Sequence, residues 1–280
     1  MADRLITPSQ LALFSRSPVI GAWWEEVHAM DPKRAPRPKA KALDELLFEA
    51  GLNHEKLLVQ QLIEDGKTVQ KLPGKQSDAD YAATEAAMRA GANYIWQASM
   101  RNSEMRGSAD LLERIEEPSA LGDWSYIPIE CKLSSNPKPI YLVQACAYCE
   151  LLTPILGVRP DRFKLYLGGK QFKPYQSSEF WSWYEQLRQH YREFRTTFVP
   201  NQPPDDAPGD HGPWDSFIKQ RLDEKRDLTL VAGMRQSQRS KLLAAGISTI
   251  DALGAWPHGE QVAGLDTAML SRLRDQAQIQ

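Results

Sequence analysis

The 280-residue chain is poor in cysteine, in net charge and in long apolar runs. Its three cysteines, Cys131, Cys146 and Cys149, lie inside apolar patterns, which argues against a secreted disulfide framework and favours a reducing, cytoplasmic location. A formal charge of −2 excludes a global attraction to nucleic acid or to anionic membranes, so any polyanion site has to be built from local clusters. No uninterrupted apolar run is long enough to cross a bilayer, and the N-terminus lacks the layout of a signal peptide. We therefore expect an ordinary globular protein without a membrane partner.

The N-terminal region is predicted to begin with a helix. Thr7 has the position of an N-cap, with Pro8 at the first helical position and Gln10 three residues past the cap. We expect this helix to continue to about Val27.

A basic segment over residues 31–41 comes next, where prolines make a regular helix or strand implausible. Its cations are Lys33, Arg34, Arg37, Lys39 and Lys41. A solvated linker and a phosphate-contacting loop are both open for it. Leucines at helical spacing then predict a helix over residues 42–65, with His54 and Glu55 at its middle.

The central region alternates between strand and helix patterns, which predicts an α/β fold with a mixed central sheet flanked by helices. The predicted elements are a strand over 67–72, a helix over 78–89, strands in "NYIWQASM", "RGSADLLERIE" and "YIPIECKL", a helix over 141–156, a hairpin turning at Gly168-Gly169, and an aromatic-rich helix over 177–194.

A change of composition marks the end of this region. The stretch "PNQPPDDAPGDHGP", at 200–213, favours an extended linker over a packed element. We divide the chain into a domain over 1–199, a connecting segment over 200–225 and a small all-helical module over 226–280.

Four residues of the first domain have the chemistry of a metal-dependent hydrolase. His54 lies mid-helix, Asp110 follows a Gly-Ser bend in "GSADLL", and Glu130 and Lys132 share one face of the strand in "PIECKLS". Carboxylates are the ligands that Mg²⁺ prefers, and a neighbouring lysine can orient a water or stabilise developing charge. Taken singly, each residue also has a structural interpretation: a hydrogen-bonded histidine, a turn cap, and a same-face ion pair worth little.

The helix that follows "PIECKLS" places Gln144 and Tyr148 four residues apart, hence on one face. With these two residues, the chain over about 5–200 resembles the RecB/Cas4-like branch of the PD-(D/E)xK superfamily, whose members share a restriction-endonuclease-like core. They carry a helix histidine, an aspartate, an acid-x-lysine pair and a Gln-xxx-Tyr helix, in that order.

The resemblance assigns a role to each matching residue. It implies that His54, Asp110 and Glu130 bind Mg²⁺ or Mn²⁺, with the main-chain carbonyl of Cys131 as a further ligand. Lys132 would be the catalytic lysine. Gln144 and Tyr148 would support the site or contact DNA.

The tail "LVAGMRQSQRSKLLAAGISTIDAL" is similar to the helical module that follows the nuclease in some RecB-like relatives. Many such nucleases are fused to a helicase, so a helicase is a candidate partner, and a free-standing chain and an excised part are both open. The tail has the outline of a helix–hairpin–helix, yet Gly233-Met234-Arg235 lacks the second glycine of the usual hairpin. Phosphate binding, protein docking and a structural role are all open for this module.

The chain departs from the many relatives that hold an iron–sulfur cluster. Where they carry cysteines it reads "FSRSPVIGAWW" and "GDHGPWDSF", so we expect no cluster. Either apolar packing, for which Trp214 and Phe217 are candidates, replaces the cluster in pinning the C-terminal segment, or that pinning is lost. Cys146 and Cys149 form a Cys-x-x-Cys inside a helix, where buried packing residues are expected rather than a redox or metal pair.

The sequence therefore predicts a metal-dependent DNA nuclease, with single-stranded or end-bearing DNA as the substrate class that the resemblance implies and DNA repair as its setting. Exonuclease and endonuclease activity are both open. The alternative is a non-catalytic DNA-binding or adaptor subunit that keeps the fold. An RNA-directed enzyme on the same scaffold has no supporting motif.

Overall fold

The computed structural model describes residues 4–39 and 42–279, which form an α/β protein with a six-stranded mixed sheet. The strands are β1 (Val69–Lys71), β2 (Tyr94–Arg101), β3 (Arg106–Ile115), β4 (Ser125–Lys132), β5 (Arg162–Leu167) and β6 (Gln171–Gln176). Their order in the sheet follows the chain, with β1–β2 and β4–β5 parallel and the other neighbours antiparallel. The mixed central sheet that the sequence predicts is confirmed.

Helices lie before, between and after the strands. They are α1 (Pro8–Arg16), α2 (Ile20–Met30), α3 (Ala42–Glu64), α4 (Asp78–Arg89), α5 (Pro139–Leu156), α6 (Ser178–Thr197), α7 (Asp215–Glu224), α8 (Gln236–Ala244), α9 (Ile250–Gly254) and α10 (Thr267–Ile279). By length and composition α5 alone, among the described residues, could cross a membrane, but more than half of it is buried inside the protein, as in a core helix.

The single N-terminal helix that we predicted over 8–27 is wrong. The capping box of Thr7 and Gln10 is present, but α1 ends at Arg16 and α2 starts at Ile20. Ser17 lies outside the helical region because the residue before a proline, here Pro18, is disfavoured in the α conformation. The chain turns at this point, so α1 and α2 are separate helices.

The two faces of the sheet carry different cores. The larger cluster includes residues of α1, α4, α5 and α6, together with strand residues such as Ile95 and Leu112. The smaller cluster packs α3 residues Leu58, Val59 and Leu62 on the other set of strand residues, among them Trp96 and Ile129. Helix α3 is thereby fixed by its C-terminal half.

The basic segment is mostly exposed to solvent, as expected. Residues 31–39 contain no helix or strand, and most of them are exposed, although Ala35 is buried. Lys41 lies outside the described residues.

The connecting segment differs from the extended linker that we predicted. Residues 200–211 have no helix or strand, but Asp206 and His211 are buried, and the rest of the segment contains α7. Asp206 is buried because Arg221 and Lys225 pair with its carboxylate. Prolines and aspartates predicted exposure, yet these ion pairs hold the first half of the segment against its own helix α7.

A buried contact joins this segment to the first helices. The hydroxyl of Ser17 lies 2.7 Å from Nδ1 of His211 and accepts a hydrogen bond from the Gly21 N–H. The other ring nitrogen, Nε2, donates to the carbonyl of Ala207 at 2.8 Å. We call this contact the Ser17–His211 clasp.

Apolar packing adjoins the clasp. Trp214 is fully buried in a cluster with Leu13, Trp24 and Ile218, and the Phe217 ring contacts Trp24 at 4.7 Å between centroids. Apolar packing therefore pins the C-terminal segment, as the first of our two alternatives proposed.

The C-terminal module has a hydrophobic core of its own, built from residues such as Leu228, Leu242, Leu253 and Leu273. Its Val-Ala-Gly turns place Gly233 and Gly264 at φ 77°, a left-handed conformation that glycine adopts without steric cost. The residues of this core form a hydrophobic cluster separate from the two clusters of the sheet.

Candidate active site

The central strands β3 and β4 bring Asp110, Glu130 and Lys132 together. The antiparallel register pairs Leu111 with Ile129, so Asp110 lies opposite Glu130, the next residue of β4. One Asp110 carboxylate oxygen, Oδ2, accepts a hydrogen bond from the Cys131 N–H at 2.7 Å. The Lys132 ammonium forms an ion pair with Glu130. Residues that are distant in sequence thus converge at one point of the sheet.

The electrostatics of this cluster are unusual for a protein interior. Burial, followed by the charge of Asp110, raises the pKa of Glu130 to about 8. Burial also raises the pKa of Asp110, against the opposing effects of Lys132 and the Cys131 N–H. For Lys132, burial disfavours the ammonium, but the charges of Glu130 and Asp110 outweigh it and the pKa rises. The carboxylates repel one another, and one lysine does not balance them.

His54 is buried on the α3 side of the sheet. Its ring stacks on Tyr166 with centroids 4.7 Å apart, and Tyr166 pairs in register with Cys131. Its Nε2 is buried and has no hydrogen-bond partner. The predicted histidine therefore packs on β5, the strand that neighbours β4 and its residues Glu130 and Cys131.

Across residues 4–39 and 42–279, no group of three or more His, Cys, Asp or Glu side chains is arranged to hold a metal ion. Two buried atoms of predicted metal-binding residues nevertheless lack a hydrogen-bond partner, Oε2 of Glu130 and Nε2 of His54. Buried polar atoms are normally satisfied, and carboxylate oxygens are the ligands that a divalent cation prefers. On these observations the carboxyl groups of Asp110 and Glu130 fit a divalent cation.

Gln144 and Tyr148 have different surroundings, although they share a face of α5. Tyr148 is 5% exposed, and a Cβ added to Gly107 would lie 3.2 Å from its ring. Gln144 lines a cavity of about 210 Å³ together with Ser9 and Arg16. Tyr148 is therefore packed inside the protein, whereas Gln144 borders a cavity.

No protein-family model matches the chain, and no curated protein matches it.

A third carboxylate, to which the sequence analysis gave no role, belongs to the cluster. Glu55 of α3 accepts hydrogen bonds on Oε2 from Gln97 Nε2 at 2.8 Å and from Trp96 Nε1 at 3.3 Å. Burial, and then the charge of Asp110, raises its pKa. The sequence could have indicated Glu55, because it directly follows His54 on the helix that packs on the sheet.

The backbone of β2 is distorted where it meets this carboxylate. Ile95 and Ala98 both pack in the larger core, whereas Trp96 packs in the smaller one, so the alternation of faces shifts by one residue at Gln97. Gln97 itself has φ 61°, which is uncommon for a residue other than glycine. By register it lies opposite Asp110. In the sequence, only the glutamine that interrupts the apolar run of "NYIWQASM" hints at this distortion of β2.

Proposed function

We propose that the chain is a divalent-metal-dependent deoxyribonuclease of the PD-(D/E)xK type, similar to the RecB/Cas4-like branch. The observation that carries the proposal is the convergence of two carboxyl groups, Asp110 and Glu130, with one ammonium, Lys132, on the central strands, with an unpaired buried oxygen on Glu130. The order of the motif along the sequence supports it further.

Mg²⁺ or Mn²⁺ bound at this cluster would polarise a phosphodiester bond and lower the pKa of a water molecule. Asp110 is held in place by the Cys131 N–H, so one of its oxygens is fixed. The Lys132 side chain is one-quarter exposed, and its ammonium lies 5.5 Å from the Tyr141 ring centroid as well as next to Glu130. It is therefore in contact with both the carboxyl groups and solvent. From there it can orient the attacking water or stabilise the charge on the phosphate oxygens.

The substrate class follows from the resemblance: single-stranded or end-bearing DNA, in a cytoplasmic protein that acts in DNA repair and has a helicase as a candidate partner. The cavity that Gln144 lines together with Arg16 and Arg37 is a candidate for phosphate contact, because two guanidinium groups border it. The 226–280 module is an additional candidate for DNA or protein contact.

The test is a cleavage assay on labelled single-stranded DNA, duplex DNA and RNA, with Mn²⁺, with Mg²⁺ and with a chelator. We expect metal-dependent cutting of DNA and a loss of about 10²–10⁴-fold in Lys132→Ala, because the ammonium acts on the reacting groups. DNA retention, measured by filter binding, should persist in this variant.

Lys164→Ala is the matched control. Lys164 lies on the neighbouring strand β5, pairs with Glu113, and is as exposed as Lys132, with 27% against 25%. Its removal should leave cutting intact. DNA binding without cutting by the wild type would support the adaptor alternative, and equal cutting by wild type and Lys132→Ala would refute the role of Lys132.

A further inference from the structure

The role that we propose for Lys132 requires its ammonium to stay in one place. A lysine carries a compact charge on a flexible four-carbon stem, so a single contact does not fix it. The structure gives this ammonium two contacts: an ion pair with Glu130, and the ring of Tyr141, whose centroid lies 5.5 Å from Nζ. An ammonium within about 6 Å of the centroid of an aromatic face is attracted by the ring quadrupole. Two contacts restrict the ammonium more than the ion pair alone does.

The Tyr141 ring is held in place by the fold. Tyr141 is the third residue of α5, its N–H donates to the Lys138 carbonyl at 2.9 Å, and α5 packs on β4, the strand of Lys132. The residue belongs to the larger core and is only 8% exposed. Side chains packed in a core keep their rotamer on the time average. The ring is therefore a fixed point beside a flexible lysine.

The other contact of the lysine has a second task in the proposed function. Glu130 is one of the two carboxyl groups that fit a divalent cation, and a carboxylate bound to a cation attracts a neighbouring ammonium less strongly. The attraction of the ring comes from its permanent quadrupole, so it persists when the carboxylate binds a cation. Tyr141 is thus the contact that continues to hold Lys132 in the state that would react.

A second lysine–ring pair, on the neighbouring strand, shows what is particular to Tyr141. Lys164 of β5 pairs with Glu113 and lies 5.6 Å from the ring centroid of Phe172. Phe172 is 40% exposed on the edge strand β6, whereas Tyr141 is buried. A cation–π contact is stronger where water is excluded. At nearly the same distance, the buried ring therefore holds its lysine more firmly.

We infer that Tyr141 is a positioning residue of Lys132, and that its ring rather than its hydroxyl holds the ammonium beside the carboxyl groups. This inference rests on the proposed function, which makes Lys132 the catalytic lysine. A tyrosine that only packs in the core would depend on side-chain volume alone. A decisive experiment therefore changes the electron density of the ring while its volume stays the same.

The contact itself can be measured without turnover, by NMR of the metal-free full chain labelled with ¹³C at the lysine Cε atoms. An aromatic face shifts the resonances of a nearby lysine Cε–H group upfield, and the Lys132 signal is identified by its loss in Lys132→Ala. We expect the upfield shift in wild type and in Tyr141→Phe, and its loss in Tyr141→Leu. The Lys164 signal should be the same in all three proteins. An equal Lys132 shift in wild type and Tyr141→Leu would refute the contact.

The effect on catalysis is measured by Mn²⁺-dependent DNA cutting with phenylalanines that carry no, one, two or three fluorines at position 141. Fluorine withdraws electron density from the ring face with little change in volume. Tyr141→Phe should cut at the wild-type rate, and kcat should then fall stepwise with fluorination, by about threefold to thirtyfold in all. KM for DNA and the unfolding temperature should stay constant along the series. The same series at position 172, beside Lys164, is the matched control and should leave kcat unchanged.

The outcomes separate the inference from the nuclease proposal. A kcat that does not respond to fluorination at position 141 would refute the positioning role and leave the nuclease proposal intact. Loss of cutting already in Tyr141→Phe would assign the effect to the hydroxyl and refute it as well. If wild type shows the upfield Lys132 shift but cuts no DNA, the ring contact is supported and the nuclease proposal fails. If it shows neither, both fail.

Discussion

Two buried histidines of this protein have opposite surroundings. In the Ser17–His211 clasp, both ring nitrogens of His211 have hydrogen-bond partners. Nε2 of His54 has no hydrogen-bond partner, and Oε2 of Glu130 in the acid cluster has none either. A satisfied buried polar group stabilises the fold, whereas an unsatisfied one costs stability and is retained where a ligand uses it. The comparison separates the part of the molecule that holds the chain together from the part that we propose does chemistry.

The largest difference should appear when each histidine is removed. His211→Ala leaves the Ser17 hydroxyl and the Ala207 carbonyl without their partner in a buried place, so we expect a loss of about 1–3 kcal/mol in the free energy of unfolding. His54→Ala should cost less than half as much, because the removed ring carries an unpaired nitrogen. Urea titration of both variants measures the two losses.

The exposed His190 of α6 supplies the control, because His190→Ala should change stability by no more than about 0.5 kcal/mol. DNA cutting at a temperature at which each variant is folded should be lost in His54→Ala and kept in His211→Ala. The reverse order of stabilities would contradict the comparison.

A smaller effect should appear in the pH dependence of the metal-free protein. Burial and the charge of Asp110 raise the pKa of Glu130 from 4.5 to about 8, so the folded state holds this proton more tightly than the unfolded state does. The corresponding stabilisation is complete below pH 4.5 and is lost as the pH rises towards 8. We therefore expect the free energy of unfolding to fall by at least about 1 kcal/mol across this window, since one unit of pKa corresponds to about 1.4 kcal/mol.

Glu130→Gln, which cannot ionise, should flatten that decline, and saturating Mn²⁺ should reduce it in wild type. Urea titrations at several pH values, with and without the metal, make the measurement. A flat profile for metal-free wild type, or the same slope in Glu130→Gln, would show that the cluster carries no unbalanced charge.

Local patterns predicted most of the fold. Helix α4 has the predicted bounds, and the strands that carry Asp110 and Glu130 lie where the alternation of apolar residues placed them. Helix α3 also begins and ends close to its predicted bounds, but Leu43, Leu46 and Leu47 of its N-terminal half are exposed. Apolar spacing thus predicted the helix without predicting what it packs against.

The features that sequence reasoning missed depend on contacts between distant residues or on backbone conformation. Ser17 and His211 are separated by 194 positions, and no local pattern relates a serine to a histidine at that distance. The positive φ of Gln97 is set by its neighbours in the folded sheet, since glutamine has no intrinsic preference for it. The position of Glu55 beside Asp110 depends on Gln97, which holds the Glu55 carboxylate and lies opposite Asp110 in the sheet.

The central claim is that Asp110 and Glu130 hold a divalent cation, and anomalous X-ray scattering from crystals soaked in Mn²⁺ tests it most directly. The account predicts an anomalous peak about 2.1 Å from a carboxylate oxygen of both residues. No peak at this position, or peaks only at surface carboxylates, would contradict it.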